Sequence, residues 1–506
     1  MPARFPAFSG DDPFDEVLRP PTDESPTQRA MRIQREDDAR RVSDAIDESL
    51  KQEQRQKKRK KPVKLLLLGQ SESGKSTTLR QFQRLYTPSA FREERILWRA
   101  VIQLNLVRSI RTILDTLSHH QSYIEEINNP GSDYEEDDIA SASASFHPGF
   151  FDDLDQLRMR LLPLRHIEAL LIAKLVPPNE DEATHLGFHA ASYNGHHRGG
   201  GGGYHVYSGG SSNDARQDQE VFVRPGTKWK GAVARGKATA NGRPLSVGNT
   251  GIETQDEPTA TLHSCRHDMI TLWRDPVVRD VLRRRKVRLE EQPGFFLDDL
   301  ERVTSLKYLP SDDDVLRARL KTVGVSEYTF EMETSAGRES GAEWHIVDVG
   351  GSRSQRQTWI PFFDDVDAII FLAPISGFDQ VLSEDRSVNR LEDSVLLWKM
   401  ICSNKMLAKV DLVLFLNKCD ILDRKLKSGI RLAKYVRSFQ ERPNDAETVQ
   451  KYFRAKFSAI QREYSPNPRK FYGFCTSVTD IITTAGILAS VRDMVVREHL
   501  RKSKLI

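Results

Sequence analysis

The sequence predicts an α/β protein built on an open sheet, and three observations carry that reading. From residue 325 onward the apolar stretches VSEYTFEMET, EWHIVDVGG, VDAIIFLAP, VDLVLFLNK and KFYGFCTS alternate with helical patterns, as strands do when helices cover them. Near the other end, KLLLLG (64–69) reads as a short buried strand that runs into SGKSTTLRQFQRLY (73–86), a helical pattern. Between these two, RILWRAVIQLNLVRSIRTILDTLS (95–118) is a long helical pattern, and helical patterns resume from 265.

In chain order, residues 1–27 are rich in proline and acidic residues, the composition of a disordered tail. Residues 28–60 hold no Pro or Gly, and Met31, Ile33, Val42, Ile46 and Leu50 fall on one face of a helix that is otherwise charged. So sparse a stripe predicts either a solvated helix or one with a partner. Its end, KKRKK (57–61), is a solvated helix end or a basic patch for a membrane surface or nuclear import. From 125 to about 262 the composition changes, with low-complexity NNPGSDYEEDDIASASASFHPG and HHRGGGGGYHVYSGGSSNDARQDQE. Between them LDQLRMRLLPLRHIEALLIAKLV reads as helical, with Pro163 as a kink or break. His196, His197 and His205 border the glycine run, which reads as flexible linker before it reads as a metal site. A last helical pattern covers 480–502, running to SKLI.

At 506 residues the chain has room for two or three domains. Lys+Arg 75 against Asp+Glu 72, a net charge of +3, offers no case for nucleic acid as a partner. Cys265, Cys402, Cys419 and Cys475 lack metal-ligand spacing and read as reduced thiols of a cytosolic protein. The first residues have no apolar core of a secretory signal, and no apolar run nears the ~20 residues of a membrane helix. Pro2 stands where N-myristoylation requires glycine.

Gly69-x4-Gly74-Lys75-Ser76 is a phosphate-binding loop pattern, set between strand and helix as it must be. Backbone N–H groups from Gly69 through Ser73 to Thr77 would wrap phosphates at a helix N-terminus. Lys75 would reach the outer phosphates, and the Ser76 hydroxyl would ligate Mg²⁺. Asn417-Lys418-Cys419-Asp420 follows a strand. A carboxylate at Asp420 accepts from the ring N–H and exocyclic amine of guanine, which adenine does not offer in that geometry. Asp348-Val349-Gly350-Gly351 closes another strand. Asp348 would hold Mg²⁺ through water, and a Gly351 N–H would bond a γ-phosphate where only glycine lets the backbone come so close. Loss of the γ-phosphate would release the segment that follows.

With these elements in this order the chain resembles the α subunits of heterotrimeric G proteins. KLLLLG-x-x-ESGKST, DVLRARLKT, DVGG-x-RSxR, NKCD and TSVTD carry the resemblance, over roughly 28–118 and 265–506. LWRDPVVRDVL, FFLDDLERV, YLPSDDDVLRARLKTVG and FDQVLSEDRSVNRLEDS add to it. The resemblance implies a Ras-like P-loop GTPase domain (61–92 and 313–506) with an inserted all-helical domain (93–312), the latter carrying a flexible insertion at about 120–262. It implies Arg319 as an arginine finger, Thr322 as the second Mg²⁺-ligating hydroxyl, and Glu72 as the partner of Arg319. Leu316 and Arg317 would lie near ribose and base, and the Val478 N–H would face the guanine carbonyl. The helix at 28–60 and the segment 352–360, with Trp359, would meet a βγ dimer. The last helix and KSKLI would meet a G-protein-coupled receptor, and an effector would act downstream. The expected place is the cytoplasm, peripheral at the inner face of the plasma membrane.

The chain departs from that family in three respects: the residues at the switch and loop, the means of membrane attachment, and size. Ser352 stands where a glutamine orients the attacking water in the phosphoryl-transfer scheme that α subunits themselves exemplify. Ser71 stands where the loop usually has glycine. Both predict GTP hydrolysis slowed by roughly 100-fold or more, in the manner of a lost transition-state donor, unless Gln355 or an accessory protein supplies the contact. The chain has neither the N-terminal glycine nor a cysteine before Cys265 for lipidation, which leaves the basic run and βγ to hold it at a membrane. The insertion and the turn TSAGRESG (334–341) suggest no function. The function expected is a GTP-operated transducer with slow hydrolysis. Alternatives are a GTP-loaded binding module with little or no hydrolysis and, against Asp420, a P-loop ATPase or kinase.

Overall fold

The computed structural model of the chain describes residues 25–59, 62–127, 150–175, 222–223, 256–322, 324–331 and 343–502. Two compact units divide at Lys61 and Pro62. The first, as far as it is described, is one helix, α1 (Pro26–Arg59). It begins inside the stretch expected as tail because its start is capped. Ser25 N–H donates to Gln28 Oε1 (3.1 Å) while Gln28 N–H donates to Ser25 Oγ (3.4 Å), and a proline at the first helical position loses no hydrogen bond. Met31, Ile33, Val42 and Ile46 are all exposed on it. Residues 1–24, and the side chains of the basic run 57–61, lie outside the described residues.

The second unit is organised by a six-stranded sheet of order β4-β5-β1-β6-β7-β8. Its strands are β1 (Val63–Leu68), β4 (Val325–Glu331), β5 (Glu343–Val349), β6 (Ala368–Pro374), β7 (Asp411–Asn417) and β8 (Tyr472–Cys475). All pairings are parallel except β4 with β5. Parallel strands covered on both faces read as continuous apolar runs, which explains LLLL in β1 and the wholly buried AIIFLAP of β6. One face carries α12 (Arg390–Ser403) and α14 (Ala446–Tyr464) through Trp398, Phe453 and Phe457. The other carries α2 (Lys75–Tyr86) and α15 (Ile481–Lys502) through Leu79, Phe82, Leu488 and Val491.

Between α3 (Pro88–Glu94) and the short helix α11 (Asp312–Arg317) lies a second apolar core, built from helices and the turns that join them, with no strand. It comprises α4 (Trp98–Ile127), α5 (Phe150–Leu161), α6 (Pro163–Leu175), α7 (Glu257–Ser264), α8 (Arg266–Arg274), α9 (Pro276–Arg284) and α10 (Leu300–Val303). Here the expectation of a flexible insertion at 120–262 needs correction. Within those bounds Leu154, Leu161, Ile167, Leu171 and Leu262 are buried with Ile110, Met269 and Phe296. The amphipathic spacing of α5 and α6 gives each an apolar face, and Arg108 and Arg111 of α4 bind Glu168 of α6 at 3.1 and 2.6 Å. Pro163 starts α6 instead of kinking a longer helix. Two residues of the remaining insertion, β2 (Phe222–Val223), pair in parallel with β3 (Lys321–Thr322). The rest of the low-complexity sequence, His196, His197 and His205 included, lies outside the described residues, as does the turn 334–341. Among the described residues no helix is long and apolar enough to cross a membrane.

Candidate functional site

The carboxyl ends of β1, β6 and β7 lie side by side, the place where open α/β sheets form a crevice. The chain leaves β1 in a tight loop and enters α2 at Lys75. Two conformations make that loop. Glu72 sits in the left-handed region (φ 59°), and so does Gly74 (φ 104°). A Cβ on Gly74 would come within 2.4 Å of Asn417 Nδ2, the group that donates to the Ser73 carbonyl at 2.7 Å. Asn417 Oδ1 in turn accepts from the Val478 N–H (3.2 Å) and Thr476 Oγ1 (3.2 Å). One buried amide thus ties the loop to the ends of β7 and β8.

Lys75 Nζ donates to the carbonyls of Gly69 and Gln70, both at 2.9 Å. Burial pushes its ammonium down to about 8, opposed by Asp348. Ser76 Oγ donates to Asp348 Oδ2 at 2.6 Å. Gly351 closes over the loop. A Cβ there would lie within 2.5 Å of Ser71 N and Lys75 Nζ, so a side chain is excluded. Glu72 holds Arg319 (2.8 Å) and Arg390 (3.0 Å), and Arg390 also donates to the Ser71 carbonyl (3.0 Å). Burial would raise the Glu72 carboxyl, but the charges of Arg319, Arg390 and Lys418 overcome it and hold the group at about 2. Burial, then Arg390, likewise push Lys418 down to about 8. Asn105 clamps the backbone of Arg319 from both sides, accepting from its N–H (2.7 Å) and donating to its carbonyl (2.9 Å).

A cavity of about 370 Å³ joins these parts. Of the residues singled out in the sequence, Glu72, Ser73, Gly74, Lys75, Ser76 and Thr77 line it from the loop. Leu316, Arg317 and Arg319 line it from the helical side, and Gly351, Asn417, Lys418, Asp420 and Val478 from the strand ends. Gly69 and Asp348 stand behind that lining and act through Lys75 and Ser76. Asp420 accepts from Ser477 Oγ at 2.7 Å, which orients this carboxylate. Arg317 pairs with Asp299, Asp313 and Asp314 at 3.0–3.1 Å.

Three residues fall elsewhere. Ser352 does not line the cavity, and its Oγ lies 3.4 Å from Ser354 Oγ. Thr322 is placed by its backbone in β3, with its side chain outside the described residues. Trp359, expected on a partner-facing surface, is instead 1% exposed, because its indole N–H donates to the Gly350 carbonyl (2.9 Å) and its ring joins the core. Ile360 beside it is 54% exposed. Gln355, the alternative water-positioning residue, packs its amide against Gly350, where a Cβ would meet Oε1 at 1.8 Å.

Sequence reasoning missed the wall formed by Gln292, Pro293, Gly294 and Phe295. Its one sequence signal is the Pro-Gly pair. Gly294 has φ 83°, and a Cβ there would strike Asn105 and Arg319 at 2.8–2.9 Å. It also missed Arg390, which reaches Glu72 from 318 residues away.

A strand, a glycine loop and a helix N-terminus at the carboxyl edge of a parallel sheet define a P-loop α/β protein. The chain matches the family described as G-protein alpha subunit over residues 40–495, and it belongs to that family. It is 32% identical to the guanine nucleotide-binding protein alpha-4 subunit of Mycosarcoma maydis, over 98% of this chain and 96% of that protein. It is 28% identical to the guanine nucleotide-binding protein subunit alpha of Candida albicans, over 92% and 95%, and 26% identical to the alpha-1 subunit of Saccharomyces cerevisiae, over 92% and 96%.

Proposed function

We propose that the cavity holds a guanine nucleotide and that the chain is a GTP-operated transducer of a heterotrimeric G protein. The observation that carries this is the convergence of loop 72–77, Arg319 and Asn417–Asp420 with Val478 on one cavity. Lys75 and the N-terminus of α2 supply positive charge for phosphates. Asp420, held by Ser477, supplies the acceptor for guanine. The donor chemistry at Ser76 and Asp348 fits Mg²⁺, which prefers hard oxygens and keeps waters and phosphate oxygens as its other ligands. Mg²⁺ there, with Thr322 as a further ligand, would neutralise charge on the outer phosphates. Arg319 would stabilise charge developing on the transferred group, held ready by Glu72 and Asn105.

We infer slow hydrolysis. Ser352 lies off the cavity lining, its hydroxyl is short, and Gln355 is packed on Gly350, so neither side chain stands at the site to orient a water. That same observation favours a second reading, a GTP-loaded binding module with little turnover. Single-turnover hydrolysis of bound GTP, with the Ser352→Gln variant beside it, decides. Slow wild-type turnover accelerated by glutamine is expected, and ordinary turnover with no gain from glutamine would sink the assignment. Competition of GTP and ATP for a fluorescent guanine nucleotide tests the base reading, with ATP expected to fail. Exposed Met31, Ile33, Val42 and Ile46 on α1, and Ile360, support a βγ-binding role; a receptor would meet α15, and an effector would read the GTP state. Attraction of the basic run 57–61 to anionic lipid would make membrane attachment peripheral and salt-sensitive. Binding to anionic vesicles that persists in high salt would contradict it.

A further inference from the structure

Arg80 has no part in the phosphate-loop pattern, yet it is built into the site. It stands in α2 one turn past Ser76, lines the cavity and is 6% exposed. Among the described residues no carboxylate pairs with it, so this buried cation is kept in place by its hydrogen bonds and one ring. The bonds all lead to backbone carbonyls. Nε donates to Ser76 (3.2 Å), and the single nitrogen Nη1 donates to both Val315 and Ala318, the latter at 2.9 Å. The ring is that of Trp98, whose centroid lies 4.6 Å from the guanidinium carbon and fixes its plane.

The carbonyls of Val315 and Ala318 lie at the loose end of α11, where a helix runs out of its own donors. If the helix went on, the Arg319 N–H would bond the Val315 carbonyl. That N–H donates to Asn105 Oδ1 instead (2.7 Å), and Arg80 takes its place on Val315. Ala318 then turns to an extended conformation (φ −59°, ψ 135°), with its own carbonyl held by the same nitrogen. Thr77 Oγ1, also on α2, reaches the Leu316 carbonyl between them at 3.4 Å. The residue that follows this anchored stretch is Arg319, whose side chain crosses to Glu72.

We propose that Arg80 is a positioning residue for GTP hydrolysis, which pins the end of α11 to α2 and so sets where the Arg319 guanidinium stands. Three holds then act on different atoms. Asn105 takes the peptide groups of Arg319, Glu72 takes its guanidinium, and Arg80 takes the turn from which it springs. Without the last, residues 315–318 are free to shift, and a misplacement of about an ångström costs up to roughly 100-fold in a step that depends on orientation.

The kinetic part rests on Arg319 acting on bound GTP, as proposed above; the anchoring does not. Anchoring is read on the full-length protein without nucleotide, by hydrogen–deuterium exchange of the amides from 315 to 320. In Arg80→Met, exchange there is expected to quicken about tenfold while β6 and β7 stay as in the wild type. Unchanged exchange over 315–320 would overturn the proposal. Positioning is read by single-turnover hydrolysis of bound GTP in Arg80→Met, Arg319→Ala and the double variant. Arg80→Met is expected to slow hydrolysis roughly tenfold or more, and to add nothing to the loss in Arg319→Ala, because the root of an absent finger has nothing to aim. Losses that multiply, or wild-type hydrolysis in Arg80→Met, overturn the positioning role. Should Arg80→Met not fold, Arg80→Lys takes its place. It keeps the charge but gives up the planar group that stacks on Trp98, so the same two changes are expected in smaller measure, and the same results overturn the proposal. A wild type that binds no GTP, or binds it without hydrolysing it, leaves no finger to position. The kinetic part then falls with the reading above, while exchange still judges the anchor.

Discussion

Charge at individual residues is the most direct handle on this cavity. Lys75 is depressed to about 8 by burial, so above that pH the ligand-free protein carries it largely neutral. A polyphosphate would restore its charge. Binding must then take up protons, and affinity must fall as pH rises above 8. Calorimetry of GDP binding at pH 8.5 in two buffers of different ionisation enthalpy checks this, and equal heats in both would refute it. Glu72 works with the opposite sign. Its carboxyl, at about 2, lies below its ordinary 4.5, so it adds stability above pH 4.5 that fades as pH falls towards 2. Glu72→Gln is expected to cost about 2–3 kcal/mol at pH 7, with the gap to wild type closing on acidification. Urea unfolding of the ligand-free protein at pH 7, 5 and 3.5 measures it, and a gap that does not move with pH would show that the glutamine disrupts packing only. These residues were legible because each sits in a short local pattern with a chemical reason. Arg390 and Asn105 were not, since an arginine or asparagine in a helix carries no local mark of the distant backbone or carboxylate it holds.

At the level of elements, α12 binds both the loop after β1 and the segment after β5. Gln70, wholly buried, donates to Ser394 Oγ (2.6 Å) and the Arg390 carbonyl (3.0 Å), tying the phosphate loop to the helix. One residue away, Asp393 takes a two-pronged bond from Arg356 at 2.9 and 2.6 Å, tying the 3-10 segment Arg353–Phe362 to the same helix. Breaking a buried pair leaves one charge uncompensated, so Asp393→Ala should cost about 3 kcal/mol. It should also free the segment for trypsin at Arg353 and Arg356. Unchanged cleavage kinetics there would mean that Trp359 alone anchors it. Strands β1, β6 and β7 were readable because burial on both faces leaves no other pattern. Helices α5 and α6, which pack into the helical core, were read as helical but placed inside a flexible insertion. Composition averages over a window, and the glycine- and serine-rich flanks hide the apolar faces that decide packing.

Across the whole molecule, the helical core and the sheet meet in a knot of charge that no sequence pattern announces. Glu291 and Arg288 come from the segment after α9, Asp379 from the end of the 3-10 turn that follows β6 (Ile375–Asp379), and Lys425 from α13 (Cys419–Lys427). Lys425 Nζ reaches Asp379 (2.5 Å), Glu291 (2.8 Å) and the Ser376 carbonyl (2.9 Å), while Arg288 reaches Asp379 (2.5 Å) and Glu291 (3.3 Å). Asp379 and Lys425 are almost fully buried, so neither can find water if its partner is removed. Lys425→Met leaves two carboxylates facing each other with Arg288 alone between them, and should cost about 3–5 kcal/mol. The same knot closes the side of the cavity formed by Gln292–Phe295, since Glu291 is the residue just before that wall. Nucleotide release should therefore quicken along with the loss of stability. Stability and joining separate in the triple variant Lys425→Met, Glu291→Met, Asp379→Leu. Apolar side chains of similar volume replace a buried charge network at little or no net cost, so stability should largely return. Directional bonds across the two cores do not return with it, and release should stay fast. If the triple variant restores slow release as well as stability, the charges serve only to fill space, and packing alone holds the wall over the site.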